Sequence, residues 1–542
     1  MKKNDIISIT VTGMSSKGEG IGKADAFPFF VKDTAVGDEV QVRILKLKKN
    51  YGYARLEKII KPSDERTDPL CPLSKKCGGC QLQHISHGAQ LKYKEKKVED
   101  ALAKIGGFDR SLIEKTKEPV EGADEGGEFR YRNKMEIPVS KDKEGGIIFG
   151  FYAGRTHDII PMKECYLGKE NVKKILGKIK EHMEENNIAP YDEKTLKGTV
   201  RHVQVREGEN TGEVMVCLVI NGDKIPHEEE FVKKLTQADG RIKTVLLNIN
   251  KKKTNVILGS KERILYGDGY ISERMGDLSF RISSRSFFQV NTKQAEKIYK
   301  KAVEFAALEG TENVYDLYCG TGTISLFFAG GCKKVRGVEV VSSAVADAKK
   351  NVLVNGVQNV EFVEGKAEDM DLSKADVVIL DPPRKGADGK LLGALLKENP
   401  KKIVYVSCDP ATLARDLRVL CEGGYELKKW KAFDQFAQTV HVETVVLLGW
   451  KGEKQDYMYF DYEADHHIPR DGKASYREIK EWILKEYGLK VSSLYIAQIK
   501  SKCGMDKREN YNLSKEDGKK APECPKEKED AIMAAFKHFG MI

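Results

Sequence analysis

At 542 residues, with 92 basic and 82 acidic side chains and a formal charge of +10, the chain has the length of three or four domains and leans towards a polyanionic partner. No apolar run approaches about 18 residues and the start, Met1-Lys2-Lys3-Asn4-Asp5, lacks an apolar signal region. Eleven cysteines at irregular spacing argue against a disulfide scaffold, so a cytoplasmic protein with no membrane partner is expected.

Residues 1–62 are expected to form a small, OB-like β-barrel. Segments 6–11 and 39–45 alternate apolar and polar residues, and Gly18, Gly20 and Gly22 supply turns. Lys46, Lys48 and Lys49 stand beside Tyr51 and Tyr53, a mixture that suits RNA by charge and by stacking. A solvated barrel face accounts for the same residues.

Residues 63–285 read as a central mixed α/β domain. It opens with Cys71, Cys77 and Cys80, three thiols within ten residues, and Gly78-Gly79 between the last two permits a tight wrap. Cys165 is the nearest downstream fourth ligand, and both an iron–sulfur cluster and a structural zinc accept four thiolates. A basic amphipathic helix is expected over 91–102, and strands over 128–139, 146–152, 200–205 and 213–220. Phe129, Arg130, Tyr131, Arg132 and Lys134 offer cations and rings to backbone phosphates and unstacked bases. An exposed charged sheet face is the plainer explanation.

From 286 to 450 strands and helices alternate, as in a Rossmann-like doubly wound α/β domain. A helix is expected over 291–308, strands over 313–319, 334–340, 360–364, 376–380 and 403–407, and a final antiparallel pair near 426–431 and 442–448. Residues 451–474, with Asp456, Asp461, Asp465, His466 and His467, read as a linker. Helices over 476–485, 492–502 and 526–539 then make a small helical accessory domain. It is read as a docking or oligomerisation module, or as a helix–turn–helix pair presenting Ser493, Gln498 and Lys500 to nucleic acid.

Four strand ends carry the chemistry. The first expected strand of the last domain runs into Gly320-Thr321-Gly322, and Glu339 ends the next, 19 residues after Gly320. Glycine admits a ligand to the backbone, and a carboxylate there holds ribose hydroxyls. Ser325 occupies the last glycine position of a dinucleotide fingerprint, which favours a mononucleoside cofactor such as S-adenosylmethionine. Asp381-Pro382-Pro383-Arg384 ends another strand, and Arg384 replaces the aromatic residue that follows this step in enzymes methylating exocyclic amines. Finally, a β-branched strand delivers Ser407-Cys408-Asp409-Pro410: Pro410 opens a helix, Asp409 is placed to cap it, and Cys408 beside the helix start is expected to tend towards thiolate.

Together with Phe287-Phe288-Gln289-Val290-Asn291 and His441-Val442-Glu443-Thr444, these motifs over residues 1–450 resemble the RNA (uracil-C5)-methyltransferases of the TrmA/RumA type. That resemblance implies a TRAM barrel at the N-terminus and a [4Fe-4S] cluster on Cys71, Cys77, Cys80 and Cys165. It also implies S-adenosylmethionine bound by Gln289, Tyr318, Gly320, Gly322, Glu339 and Asp381, with Cys408 as nucleophile and Glu443 as base. Arg132 and Phe287 fall near the target nucleotide. Family members usually carry Met and Pro where this chain has Gln435 and Ala437. The implied function is methylation of a uridine at C5 in 23S ribosomal RNA; a transfer-RNA enzyme and a non-catalytic iron–sulfur RNA-binding or assembly factor are the rival readings.

Overall fold

The structure is a computed structural model that describes residues 1–452 except Arg155 and Thr254, then 476–503 except Lys490 and Ser492, then 524–541 except Gly540. The expected linker, with its Asp and His residues, lies almost wholly outside the described residues.

Strands β1 (Ile6–Met14), β2 (Gly20–Ala24), β3 (Phe27–Val31), β4 (Glu39–Leu47) and β5 (Gly52–Lys61) close into a barrel in the order β1-β2-β3-β5-β4. Alternation drives Ile9, Val11, Phe29, Val31, Val40, Val42 and Ile44 into one core. Tyr53 pairs with Phe30 on one side and Lys46 on the other, and the rings of Phe30, Tyr51 and Tyr53 lie 5.6–5.8 Å apart. The cluster of rings and cations foreseen on the barrel therefore forms, with Phe30 added.

Helices α1 (His87–Lys104) and α2 (Arg110–Thr116) lead to strand β6 (Lys117–Glu121). A seven-stranded sheet follows, built from β7 (Lys134–Lys141), β8 (Ile147–Tyr152), β9 (Ile159–Pro161), β10 (Val200–Glu207), β11 (Val214–Ile220), β12 (Ile242–Ile249) and β13 (Lys261–Tyr266). Helices α3 (Asn171–Glu185) and α4 (Glu228–Ala238) seal one face through Ile175, Ile179, Phe231 and Leu235. The strand expected from 128 starts only at Lys134: residues 125–130 are turn and bend, and Arg130 takes a positive φ of 55°. Strands β14 (Tyr270–Met275) and β15 (Leu278–Ser283) form a separate hairpin.

The last domain supplies α5 (Thr292–Ala306), β16 (Asn313–Leu317), α6 (Thr323–Ala329), β17 (Lys334–Glu339), α7 (Ser342–Asn355) and β18 (Val360–Glu364). It continues with β19 (Val377–Leu380), α8 (Gly389–Glu398), β20 (Lys402–Ser407), α9 (Pro410–Glu422), β21 (Tyr425–Phe433) and β22 (Glu443–Trp450). The sheet order is β18-β17-β16-β19-β20-β22-β21-β6, with β22 antiparallel to both neighbours. Order reverses between β16 and β19, the switch point where open α/β sheets take ligands. Strand β6 joins the far edge beside β21, and Val98 and Leu102 of α1 share a core with Leu413, Leu417 and Trp430. Residues 87–121, which the sequence groups with the central domain, thus pack onto this sheet. Their apolar residues fit either neighbour, so only the observed strand pairing decides.

The C-terminal unit, described by itself, holds α10 (Tyr476–Tyr487), α11 (Ser493–Lys502) and α12 (Lys526–His538) around Ile479, Ile483, Ile496, Ile499, Ile532 and Phe536. Trp482 stacks on His538 at 4.7 Å. Gln498 and Lys500 lie on α11, while the side chain of Ser493 is outside the described residues. No described helix is long and apolar enough to cross a membrane.

Candidate active site

The loop after β16 is bent by three alternate residues in left-handed conformation: Tyr318 (φ 75°), Gly320 (φ 55°) and Gly322 (φ 79°). The backbone N–H groups of Tyr318 and Cys319 both donate to the Val338 carbonyl at 3.0 Å, which docks the loop on β17. Glu339, at the end of β17, accepts from the Gly320 N–H at 3.1 Å and from the Val341 N–H at 2.9 Å. Each carboxylate oxygen keeps a lone pair for a hydroxyl donor. A side chain at Gly322 would meet the Phe362 ring at 2.4 Å, whereas the space beside Gly320 is open. An open backbone cradle with a carboxylate beside it fits a nucleoside ligand.

Thr321 ties this loop to the segment after β15 by donating to the Phe287 carbonyl at 3.2 Å. The Phe287 ring itself is 66% exposed. Gln289 is held from three sides: its carbonyl accepts from Asn133 at 2.8 Å, its Oε1 accepts from Gln435 Nε2 at 3.2 Å, and its side chain hydrogen-bonds the Tyr299 hydroxyl. Arg132, one residue before Asn133, donates its backbone N–H to Leu167 at 2.9 Å. That places Arg132 on a segment running from the cysteine-rich region towards Gln289.

Cys408 lies at the carboxyl end of β20. Ser407 is paired with Thr444, and the charge of the neighbouring Glu443 reaches the Cys408 thiol. Asp409 caps α9 as expected, its Oδ1 accepting from the N–H of Ala411 at 2.9 Å and of Thr412 at 3.2 Å. The expected thiolate does not appear, however. Burial pushes the Cys408 thiol up to about 11, the charges of Glu443 and Asp381 add to the rise, and Arg384 opposes it. Two neighbouring carboxyls and a half-buried setting outweigh a helix start.

The same environment governs the acids. Burial, then Asp381, drives the carboxyl of Glu443 well above its usual range, with Arg384 pulling the other way. Burial, then Asp316, brings Asp381 to about 7. Burial does the same to Asp316, whose Oδ2 accepts from Ser325 Oγ at 2.5 Å. Tyr299 of α5 sits amid the charges of all three carboxyls, and burial first, then these charges, raises its hydroxyl far above the usual value. The site therefore brings together a thiol and a carboxyl whose ionisation burial opposes, beside a nucleoside cradle.

Loop 434–442 carries the chain from β21 to Glu443. Asp434 is fully buried and ion-paired with the buried Lys94, while His87 Nε2 lies 2.8 Å from its other oxygen. That ion pair holds the Asp434 carboxyl low despite burial. Lys94 also donates to the Phe436 carbonyl at 3.0 Å, and Lys97 to that of Val440 at 2.7 Å. Gln435 and Ala437, the departures from the family pattern, are both fully buried: Gln435 reaches Gln289, and the Ala437 carbonyl accepts from Tyr131 at 3.1 Å.

Cys71, Cys77, Cys80 and Cys165 are unpaired and half-buried. Burial raises the first three thiols, Cys80 to about 12, and the charge of Cys165 adds to each. Cys80 and Cys165 pack against Tyr131, Leu167 and Ala437. Both thiols thus pack against loop 434–442 through Ala437. Among the described residues, though, no three His, Cys, Asp or Glu side chains stand close enough to hold one ion, so the expected metal centre has no preformed geometry here. Sequence reasoning missed Tyr299, Asn133 and the bond from Gln435. Tyr299 keeps the apolar spacing of a core helix position, and the other two contacts join distant segments.

Comparison with known proteins gives two family matches: "tRNA (Uracil-5-)-methyltransferase" over residues 125–377 and 368–451, and "TRAM domain" over residues 2–56. An uncharacterized RNA methyltransferase of Clostridium tetani is 46% identical over 461 residues, covering 84% of this chain and 98% of that protein. Another, from Halalkalibacterium halodurans, is 44% identical over 457 residues, 83% and 98% of the two chains. Among solved structures, the Pyrococcus abyssi tRNA (uracil-54, C5)-methyltransferase in complex with S-adenosyl-L-homocysteine superposes with a TM-score of 0.67 at 30% identity. The match covers 82% of this chain and 100% of that one.

Proposed function

This chain belongs to the tRNA (uracil-5-)-methyltransferase family, and from that premise we propose that it methylates C5 of a uridine in 23S ribosomal RNA through a covalent bond to Cys408. The observation that carries the mechanism is the placement of Cys408 against Glu443, beside the cradle made by Gly320 and Glu339. S-adenosylmethionine, when bound by Gln289, Tyr318, Gly320, Gly322, Glu339 and Asp381, supplies an electrophilic methyl group.

Uracil C5 is a weak nucleophile, and the protein has to activate it. Cys408 gives up its proton and Sγ adds to C6, which moves electron density onto C5 and O4. Once C5 carries the methyl group, Glu443 removes the remaining C5 proton and the C6–Sγ bond breaks, restoring the ring. One proton is released per cycle. Burial makes ionised Glu443 scarce but a stronger base, which suits a carbon acid. The base must leave its helix to reach Sγ. Phe287, whose ring is exposed, and Arg132 are assigned to the target nucleotide by the family resemblance, and the barrel rings of Phe30, Tyr51 and Tyr53 offer stacking surfaces for unpaired bases.

The [4Fe-4S] cluster on Cys71, Cys77, Cys80 and Cys165 rests on the family resemblance and on four free thiols, two of which, Cys80 and Cys165, share an apolar patch. By the family resemblance, a cluster accompanies ribosomal rather than transfer RNA. The likeness to the Pyrococcus abyssi enzyme favours the transfer-RNA reading. Incubation of the protein with labelled S-adenosylmethionine and either RNA separates them. Label in 23S RNA as 5-methyluridine supports the proposal, label in transfer RNA alone selects the second reading, and no label in either favours a non-catalytic RNA-binding or assembly factor. Iron and sulfide in anaerobic preparations support the cluster; stoichiometric zinc refutes it.

A further inference from the structure

Between the cysteine-rich segment and the base Glu443 stands a clamp made of two amides. Gln438 takes a positive φ of 68°, a conformation that a side-chain-bearing residue keeps only when its surroundings hold it. Its N–H donates to Gln90 Oε1 at 2.9 Å, and Gln90 Nε2 returns a bond to Gln438 Oε1 at 3.0 Å. Gln90 also donates to the carbonyls of Leu82 at 3.2 Å and Ile85 at 3.1 Å. The Gln438 carbonyl accepts from the N–H groups of both Gln81 and Leu82 at 3.0 Å, the two residues that directly follow Cys80. The clamp is shut off from water: Gln90 and Leu82 are buried, and Gln438 is 4% exposed.

From Gln438 the loop leads two ways. Three residues before it, Gln435 holds Gln289, and five residues after it stands Glu443. A second tie runs in parallel, because Tyr131, which packs with Cys80 and Cys165, donates to the Ala437 carbonyl. Movement of the Cys80 segment therefore has a route to the cofactor side chain Gln289, through hydrogen bonds to Gln438 and Ala437 and then along the loop to Gln435.

We propose that Gln438 is a positioning residue that couples the four-cysteine segment to the cofactor site, so that disturbing Cys80 weakens cofactor binding through loop 434–442. The proposal rests on the methyltransferase reading above. It makes the thiol site a structural determinant of cofactor affinity, independent of which metal the thiols hold.

A double-mutant cycle on the full chain tests it, with the affinity for S-adenosylhomocysteine measured calorimetrically for wild type, Cys80→Ala, Gln438→Gly and the double variant. Glycine tolerates the left-handed backbone but loses the side-chain bond to Gln90 that fixes it, so the loop is no longer held in one conformation when the Cys80 segment moves. Cys80→Ala should weaken binding about five-fold in the wild-type background and less than about two-fold once Gln438→Gly is present. Two independent factors that multiply would overturn the coupling. Should Gln438→Gly fail to fold, amide exchange across residues 434–442 in Cys80→Ala decides the matter instead: faster exchange supports the coupling and unchanged exchange overturns it. Gln435→Met, which conserves volume and removes the donor to Gln289, should raise KM for S-adenosylmethionine more than it lowers kcat. Wild-type protein that binds no S-adenosylhomocysteine would remove the methyltransferase reading and the coupling with it; normal wild-type binding with independent variants removes the coupling alone.

Discussion

Cys408 and Glu443 stand one residue beyond the last couple that pairs β20 with β22, and the charge of Glu443 adds to the rise that burial imposes on the Cys408 thiol. The thiol is brought up to about 11 and the carboxyl is driven well above its usual range, chiefly because burial penalises their charged forms. Both must lose a proton before they act, the thiol to attack C6 and the carboxylate to take the C5 proton.

Activity should therefore climb with pH. Single-turnover methylation measured from about pH 6 to 9 is expected to rise by up to roughly ten-fold per unit while thiol ionisation limits the attack. A flat profile across that window would show that Cys408 does not ionise in the slow step.

The two residues should fail differently. Cys408→Ala is expected to abolish methyl transfer, having no sulfur to add to C6. Glu443→Gln should still bond to RNA and accept the methyl group, then stall because nothing removes the C5 proton. Denaturing gels with labelled RNA will show an accumulating protein–RNA band for Glu443→Gln and none for Cys408→Ala. A slow band with wild type and none with Glu443→Gln would reassign the base.

Support of the loop has its own signature. Lys94→Met leaves Asp434 buried with only His87 and should destabilise the protein by about 3–5 kcal/mol, the usual cost of orphaning a buried charge. Thermal unfolding should then occur well below wild type, and Lys94→Met combined with Asp434→Asn should recover part of the loss. No recovery in the double variant would mean that the ion pair does not hold the loop.

The glycine loop offers a contrast within two residues. Gly322→Ala must keep φ at 79° and push a methyl group against the Phe362 ring, so it should cost more than about 1 kcal/mol and weaken S-adenosylhomocysteine binding. Gly320→Ala meets no atom within 4 Å and should cost stability less, while still narrowing the cradle. Equal unfolding temperatures for the two variants would contradict the packing argument.

Much of this site was written in local sequence. Alternation placed two of the five barrel strands, β1 and β4, the run from Lys402 to Ser407 placed Cys408 at a strand end, and Pro410 after Asp409 placed the helix cap, because each depends on neighbours within a few residues. The glycine loop and Glu339 were legible for the same reason. Tertiary structure alone decided the rest: that β6, far in sequence from its partner β21, completes the sheet; that Gln435 reaches Gln289; that Gln90 and Gln438, 348 positions apart, clamp one loop. It also decided protonation. A helix start beside a cysteine is visible in sequence and argues for a thiolate, but the carboxyls of Asp381 and Glu443 and the loss of water around them come from strands that the chain reaches earlier and later. Charge is a property of surroundings, and surroundings are fixed only when the chain folds.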